Sequence, residues 1–517
     1  MSNVTNQPVS PFLGAFVLET LTIGMYGESR NAIREYIQNA FDSIRRATQD
    51  KKILGPDEGL IKITLSVDEG SLIIRDNGVG LGVRNATATL TRVGASGKNY
   101  KQDAGFRGIG RLAGIVFSNT ITFVTKAKGE HEQTTVVFNG RAMREAMTPQ
   151  RGSSQSAEDI IKTNVTAFTS PSDDIDGHFL EVRLQGFEEP PRECISALEL
   201  RSFVSQVAPV PYSNAFPLSE ELHKVAQETG IAIEKVAISL KESSGGDFVP
   251  ITKPYGAKYQ LKGGEVELKG CEIKKSRGNG KRWWAWIGSN DLSGAYLDPL
   301  VGGLRVRVRN IQIDGTEIVR NIFRSHAASY VRFQDYFIGE IFVEPSLLVP
   351  NARRDGFEEN ASWTDVRNEL AKLVRELGGK AYRTSNKGMY SVGAQTKNRD
   401  KARKAFVALK KNGFADRQKS IQLSTEITKY QQRIAKSSQD ADLTTLTELQ
   451  AIGSELGDIK REVNENIGTA DAAVDREEVE VETREQLTKE VMNALEDELS
   501  PQCLSEVRTI LTGRGLL

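Results

Sequence analysis

Between residues 61 and 74 apolar and polar positions alternate. Ile61, Ile63, Leu65 and Val67 share one phase, Asp68-Glu69-Gly70 supplies a turn, and Leu72-Ile73-Ile74 returns. Such a period of two predicts a β-hairpin. Upstream, residues 28–48 follow a helical period, with Ile33, Ile37, Ala40, Phe41 and Ile44 on one side. Downstream, Arg111 to Phe117 reads as a short buried helix leading to strands near 121–125 and 134–138, and the polar stretch 148–159 reads as a surface loop. Helices and strands do not alternate as a βα repeat, so the pattern predicts an α+β fold.

A helical pattern at 192–207 precedes residues 231–345, which carry alternating strands such as Leu304-Arg305-Val306-Arg307-Val308 and Phe337-Ile338-Gly339-Glu340-Ile341. A helix near 361–377 closes this second α+β region. From about 398 onward proline is sparse and charge dense, which predicts helices. Leu449, Ile452, Leu456, Ile459 and Val463 are spaced 3-4-3-4, either a short coiled-coil seam or an ordinary packing stripe interrupted by Gly453 and Gly457. The organisation expected is a first domain at 1–190, a middle domain at 191–390 and a helical oligomerisation region at 391–517.

Composition adds limits. The 517 residues are 38% hydrophobic, enough for folded domains rather than dominant disorder. Sixty-eight basic residues balance 68 acidic ones, so any attraction to nucleic acid must come from a local patch. No apolar run has the length of a membrane helix, and no Lys or Arg precedes Arg30, which points to a cytoplasmic protein. Cys194, Cys271 and Cys503 are far apart, as are the four histidines, so neither a disulfide framework nor a zinc site is expected.

Three segments carry candidate chemistry. On the first helix Glu35, Asn39 and Asp42 stand at i, i+4 and i+7, within a sector of about 60°. Arg75-Asp76-Asn77-Gly78-Val79-Gly80-Leu81 follows an apolar strand and sets a carboxylate beside glycines, an arrangement able to accept a hydrogen bond from an amine on a flat ring. Gly105-Phe106-Arg107-Gly108-Ile109-Gly110 opens the helix at 111–117, where backbone N–H groups could meet an anion. Singly these segments also fit a solvated amphipathic helix, a turn and a capped loop. Neither a dinucleotide fingerprint nor a Walker A loop is present.

Taken in order, the three segments resemble the GHKL ATPase superfamily with its Bergerat fold. EYIQNAFDSI, IRDNGVGL and AGFRGIGRLAGIVFSNTITFVTK are similar to the boxes of its Hsp90 branch. The resemblance implies a Bergerat-type α/β sandwich, a transducer-like middle domain, and Mg-dependent ATP hydrolysis. It implies Glu35 as the general base, Asn39 as the Mg²⁺ ligand, Asp76 as reader of the adenine amine, Gly80 as the residue admitting the ring, and Asp42 as polar support. Gly105, Gly108 and Gly110 would donate to phosphates, with Gly78, Phe106, Arg107 and Ile109 counted in the same site. Residues 82–104 would form a lid, with Gly94, Ser96 and Lys98 at its hinge or phosphate-facing part. His178 stands where the family usually has threonine.

The resemblance also makes Arg354, with Arg353 as alternate, the arginine a middle domain presents to the γ-phosphate; pairing of both with Asp355 and Glu358 is the ordinary alternative. The activity implied is an ATP-driven, dimeric, Hsp90-like clamp on a protein client. A MORC- or MutL-like clamp on DNA is the second reading, with the basic loop 274–282 before Trp283-Trp284 as its point of contact. Net charge does not favour it.

Overall fold

The computed structural model describes residues 12–25, 28–94, 108–149, 155–243, 245–262, 264–277, 282–288, 294–385, 391–438 and 443–467. Ser96, Lys98, Gly105, Phe106 and Arg107 lie outside the described residues. Two compact units divide at Thr384 and Ser385.

The first unit begins with α1 (Ala15–Glu19) and α2 (Asn31–Gln49). An eight-stranded sheet follows from β1 (Leu60–Ser66), β2 (Ser71–Asp76), β3 (Ser118–Lys126), β4 (Glu132–Asn139), β5 (Val165–Pro171), β6 (Phe179–Phe187), β7 (Ala237–Glu242) and β8 (Gly245–Ile251). Its order is β5-β4-β3-β6-β2-β1-β7-β8, antiparallel except where β1 and β7 run parallel. The expected hairpin is β1–β2, registered Ile63 to Ile74 and Leu65 to Leu72, with Gly70 at φ 57° in its turn. Ile61, Ile63, Leu65 and Leu72 are fully buried against α2, whose Ile33, Tyr36, Ile37, Ala40 and Phe41 belong to the same core.

Helices α3 (Val83–Thr91), α4 (Gly140–Ala146), α5 (Ala157–Asn164), α6 (Ala197–Val207) and α7 (Ser219–Thr229) lie between the strands. The segment from Gly110 to Val116 is a 3₁₀ helix. Helix α3 falls in the stretch expected as lid loop. Its Ala86 and Leu90 are buried, and Glu130 accepts the Val83 N–H with both carboxylate oxygens at 3.1 Å, capping its start.

The hairpin β9 (Lys258–Leu261) with β10 (Gly264–Glu267) leads to a five-stranded sheet of β11 (Cys271–Lys275), β12 (Trp283–Gly288), β13 (Gly303–Val308), β14 (Ile311–Ile313) and β15 (Ile338–Val343), in the order β11-β12-β15-β13-β14. Helices α8 (Glu317–His326) and α9 (Ala361–Ser385) cover it. Strands β13 and β15 are buried at every position, so the alternation read from Arg305, Arg307 and Glu340 is not one of core and solvent.

The second unit, as described, is three helices, α10 (Val392–Lys411), α11 (Arg417–Ser437) and α12 (Leu443–Ile467). Leu449, Ile452, Leu456, Ile459 and Val463 pack with Leu409 of α10 and with Leu423, Ile427, Tyr430 and Ile434 of α11. The 3-4-3-4 seam is thus occupied within the chain. Among the described residues no helix is long and apolar enough to cross a membrane.

Candidate functional site

Thirteen of the 19 residues of α2 are buried, including Glu35 and Asp42 of the face that carries the candidate chemistry. Glu35 is 8% exposed and Asp42 0%. A buried carboxylate needs donors or a ligand to offset its desolvation, so this face is committed to the interior.

A cavity of about 480 Å³ opens between α2, the end of β2 and α3. Its volume is that of a small-molecule site. Asn39, Asp76 and Gly80 line it, and so do Tyr36, Ser43, Arg46, Arg92 and Arg111; Ile74, Phe123 and Val182 supply apolar wall. Ser43 follows Asn39 by one helical turn and therefore shares its direction. Asp42 points to the other side of that arc, so it is buried without lining the cavity.

Asp76 ends β2, opposite Ile61, and is 3% exposed. Burial pushes its carboxyl up to about 7, against the Gly78 N–H at 2.8 Å and the Ser43 hydroxyl, which favour the charged form. Asn77 fixes the turn by accepting the Leu60 N–H at 2.7 Å and donating to the Glu58 carbonyl at 2.8 Å. Gly80 has φ 63°, and a Cβ there would come within 1.9 Å of the Lys126 carbonyl oxygen. The missing side chain is already required by the approach of two backbone segments. His178 lies outside the cavity lining; its Nδ1 donates to the Gly78 carbonyl at 2.7 Å and so braces the same turn from behind.

Glu35 sits beside Gly110, where a Cβ would come within 2.2 Å of Oε2. Its other oxygen, Oε1, accepts from Arg354 Nε at 3.0 Å. Arg354 is 5% exposed and has φ 58°, while Arg353 is exposed and its carbonyl accepts from Arg34 at 3.1 Å. The Asp314 N–H donates to the Arg354 carbonyl at 2.9 Å. The two consecutive arginines are therefore used differently: Arg354 reaches the carboxylate and Arg353 offers backbone. Gly78, Gly94, Gly108, Ile109 and Gly110 do not line the cavity, although Gly108 and Gly110 lead directly into Arg111.

The helix after these glycines is a seven-residue 3₁₀ segment, too short for the dipole expected of it to attract an anion strongly. Positive charge comes instead from side chains. Arg111 is half-buried, its Nη1 has no hydrogen-bond partner among the described residues, and burial followed by the Arg92 guanidinium lowers its pKa. Two guanidinium groups that repel each other at one cavity, one with an unsatisfied nitrogen, suit a polyanion. Tyr36 fixes the Arg111 backbone, its hydroxyl donating to the Arg111 carbonyl at 3.1 Å and accepting the Gly114 N–H at 2.9 Å.

Of the basic loop at 274–282, residues 278–281 lie outside the described residues, and the rest has a different environment. Lys274 meets Glu272 at 2.7 Å and Glu376 at 2.9 Å, Lys275 meets Glu228 at 3.4 Å, and Arg282 meets Asp365 at 2.9 Å. Trp283 and Trp284 are buried, so neither ring is available to stack on a base.

Residues 27–169 match the family described as histidine kinase-, DNA gyrase B-, and HSP90-like ATPase. Curated relatives include proteins named chaperone protein HtpG. The one from Psychrobacter cryohalolentis is 31% identical over 134 residues, covering 22% of this chain and 20% of the relative. That from Bacillus licheniformis is 28% identical over 131 residues, 22% of this chain and 21% of the relative. In Halalkalibacterium halodurans the figures are 26% over 129 residues, 22% and 21%. The match spans about a fifth of the length of these relatives. With all of the cavity lining but Leu180 and Val182, the buried Asp76 and the Glu35–Gly110 contact inside the matched stretch, residues 27–169 form a GHKL-type ATPase domain, distantly related to the Hsp90-like HtpG chaperones.

Proposed function

We propose that the chain binds Mg-ATP in this cavity, hydrolyses it, and uses the cycle to drive an Hsp90-like clamp, as a cytoplasmic homodimer, on a protein client. The observation that carries the reading is the convergence on one cavity of Asn39 from α2, Asp76 from the end of β2, and Arg111 beside the Glu35–Gly110 contact. Asp76 accepts a hydrogen bond from the adenine amine, with Ser43 holding the carboxylate. Arg111 and Arg92 meet the phosphates. Among the described residues no group of three His, Cys, Asp or Glu is arranged to hold a metal. Asn39 suits an ion that takes most of its oxygen ligands from phosphate and water, and Mg²⁺ binds that way. The ion, when bound, offsets phosphate charge.

Glu35 takes the proton of the attacking water, and its bond to Arg354 fixes the carboxylate in place. Arg354 adds positive charge beside the reacting group, which phosphoryl transfer needs more than covalent chemistry. The likeness to proteins named as chaperones supports a protein client. Pairing of Lys274, Lys275 and Arg282 with carboxylates weakens the support that loop gave to a DNA clamp.

Calorimetric titration and phosphate release test the reading. Glu35→Gln keeps an oxygen for Arg354 to donate to; it is expected to bind ATP within about twofold of the parent and to lose about 10²-fold or more in turnover. Arg111→Ala is expected to weaken ATP at least tenfold while leaving adenosine unchanged. Turnover at the parent rate in Glu35→Gln, or no heat with ATP in the parent, overturns the assignment.

A further inference from the structure

Positive charge is concentrated on α10. This helix carries seven Lys or Arg against one acidic residue, Asp400, in a chain of zero formal net charge. Its faces sort the charges. Ala402, Phe406 and Leu409 turn into the three-helix core. Arg399 and Arg403 lean on Glu455 of α12 at 3.5 and 3.7 Å, and Lys410 meets Glu462 at 2.6 Å. On the opposite side Lys397, Lys401, Lys404 and Lys411 are all exposed, within a sector of about 80°. Lys401 has Glu426 of α11 at 3.5 Å. Lys397, Lys404 and Lys411 have no carboxylate within 4.0 Å among the described residues. Steps of seven residues set these three ammonium groups about 10 Å apart along about 21 Å of helix.

We propose that the outward lysine face of α10 binds the phosphate backbone of nucleic acid without regard to base sequence. The inference is independent of the ATPase reading, and it adds a tether to the proposed clamp. Lysines act as point charges toward phosphate and do not demand a paired, planar acceptor. A bilayer surface would need apolar side chains beside the lysines, but the large apolar residues of α10 other than Val407 face the bundle. A protein interface would need a buried aromatic or Arg anchor, and this stripe has none. The contrast with 274–282 is direct, since there each described lysine has a carboxylate partner.

The test uses the full chain and a fluorescent 20-base-pair DNA duplex, with anisotropy measured from 50 to 200 mM NaCl. The variant is K397A/K404A/K411A, whose sites are exposed and whose alanines favour the helix; circular dichroism checks that helix content is kept. The parent is expected to bind with log K falling linearly with log salt. The variant's slope should be shallower by about 2.7, with affinity at 100 mM NaCl at least tenfold weaker. An unchanged slope overturns the proposal. So does failure of the parent to bind at 50 mM NaCl, or retention on phosphatidylserine vesicles without retention on DNA.

Discussion

Asp76 shows how far one residue's surroundings decide its chemistry. Its carboxyl is pushed from 3.8 up to about 7, mainly by burial. For an acid with a raised folded-state pKa, the protonated form is the one the fold prefers. Stability of the empty protein therefore falls as pH rises from about 4 through about 7, by an amount on the order of a few kcal/mol. An amine on a ring needs an acceptor, so binding draws on the ionised form. Adenosine affinity is expected to rise between pH 6 and pH 8, levelling above about 7. Adenosine rather than ATP is the probe because its phosphate-free form does not titrate there. Asp76→Asn should raise the melting temperature of the empty protein at pH 8 and abolish adenosine binding. A variant that loses stability at pH 8, or parent affinity flat across this range, would contradict the account. The neighbouring residues show what sequence could reveal. Asn39 and Asp76, which line the cavity, and Glu35, which meets Gly110, were legible as candidates because each sits at a fixed offset in its own segment. Ser43 was one turn beyond Asn39 and could have been found from helical phase. Arg92 and Arg111 were not legible, since their role depends on where α3 and the 3₁₀ helix pack. Arg354 was legible only through resemblance, and its 3.0 Å contact with Glu35 joins positions 319 residues apart.

Periodicity located elements well and misjudged what covers them. The β1–β2 hairpin and α2 appear within a few residues of the expected bounds. Helix α3 was hidden because its threonines resemble a loop, while its cap, Glu130, comes from far along the chain. Strands β13 and β15 alternate apolar and charged residues yet are buried on both faces. The charged face is satisfied internally: Glu340 accepts from Lys253 at 2.9 and 2.8 Å, from Tyr212 at 2.5 Å, from Trp286 at 3.3 Å and from Arg307 Nε. Arg307 also donates to the Gln206 carbonyl of α6 at 2.9 Å, so the cluster ties this helix, between β6 and β7 of the first sheet, to the core of the second. Burial alone would raise the Glu340 pKa, but Arg307 and Lys253 hold it down at about 2. A depressed carboxylate contributes stability above its ordinary value of 4.5, and that contribution is lost as pH falls from there toward 2. Glu340→Gln leaves two buried cations without their counter-charge and should cost about 3–5 kcal/mol at pH 7. Urea denaturation should show that gap narrowing as pH drops below 4.5. A cost under about 1 kcal/mol would mean water reaches the cluster.

The molecule as a whole divides by its cores. Residues up to Ala381 supply the clusters of the first unit, and residues from Val392 to Ile467 supply that of the second, with none shared. Cooperative melting follows shared packing, so two separately closed cores predict two calorimetric transitions for the full chain. Leu456 decides what the 3-4-3-4 seam does. It is fully buried among α10 and α11 side chains of its own chain, so Leu456→Ala should remove about 2–5 kcal/mol from the three-helix transition alone. The other transition, and its upward shift on adding a non-hydrolysable ATP analogue, should not move, because nucleotide linkage acts only on the unit that binds it. Light scattering on the same samples separates packing from assembly. A seam closed within the chain predicts that the mass of the protein, with or without the analogue, survives the substitution at temperatures below the bundle's melting. If the mass halves while both transitions stay in place, the seam joins two chains, and the dimer proposed here is built on it.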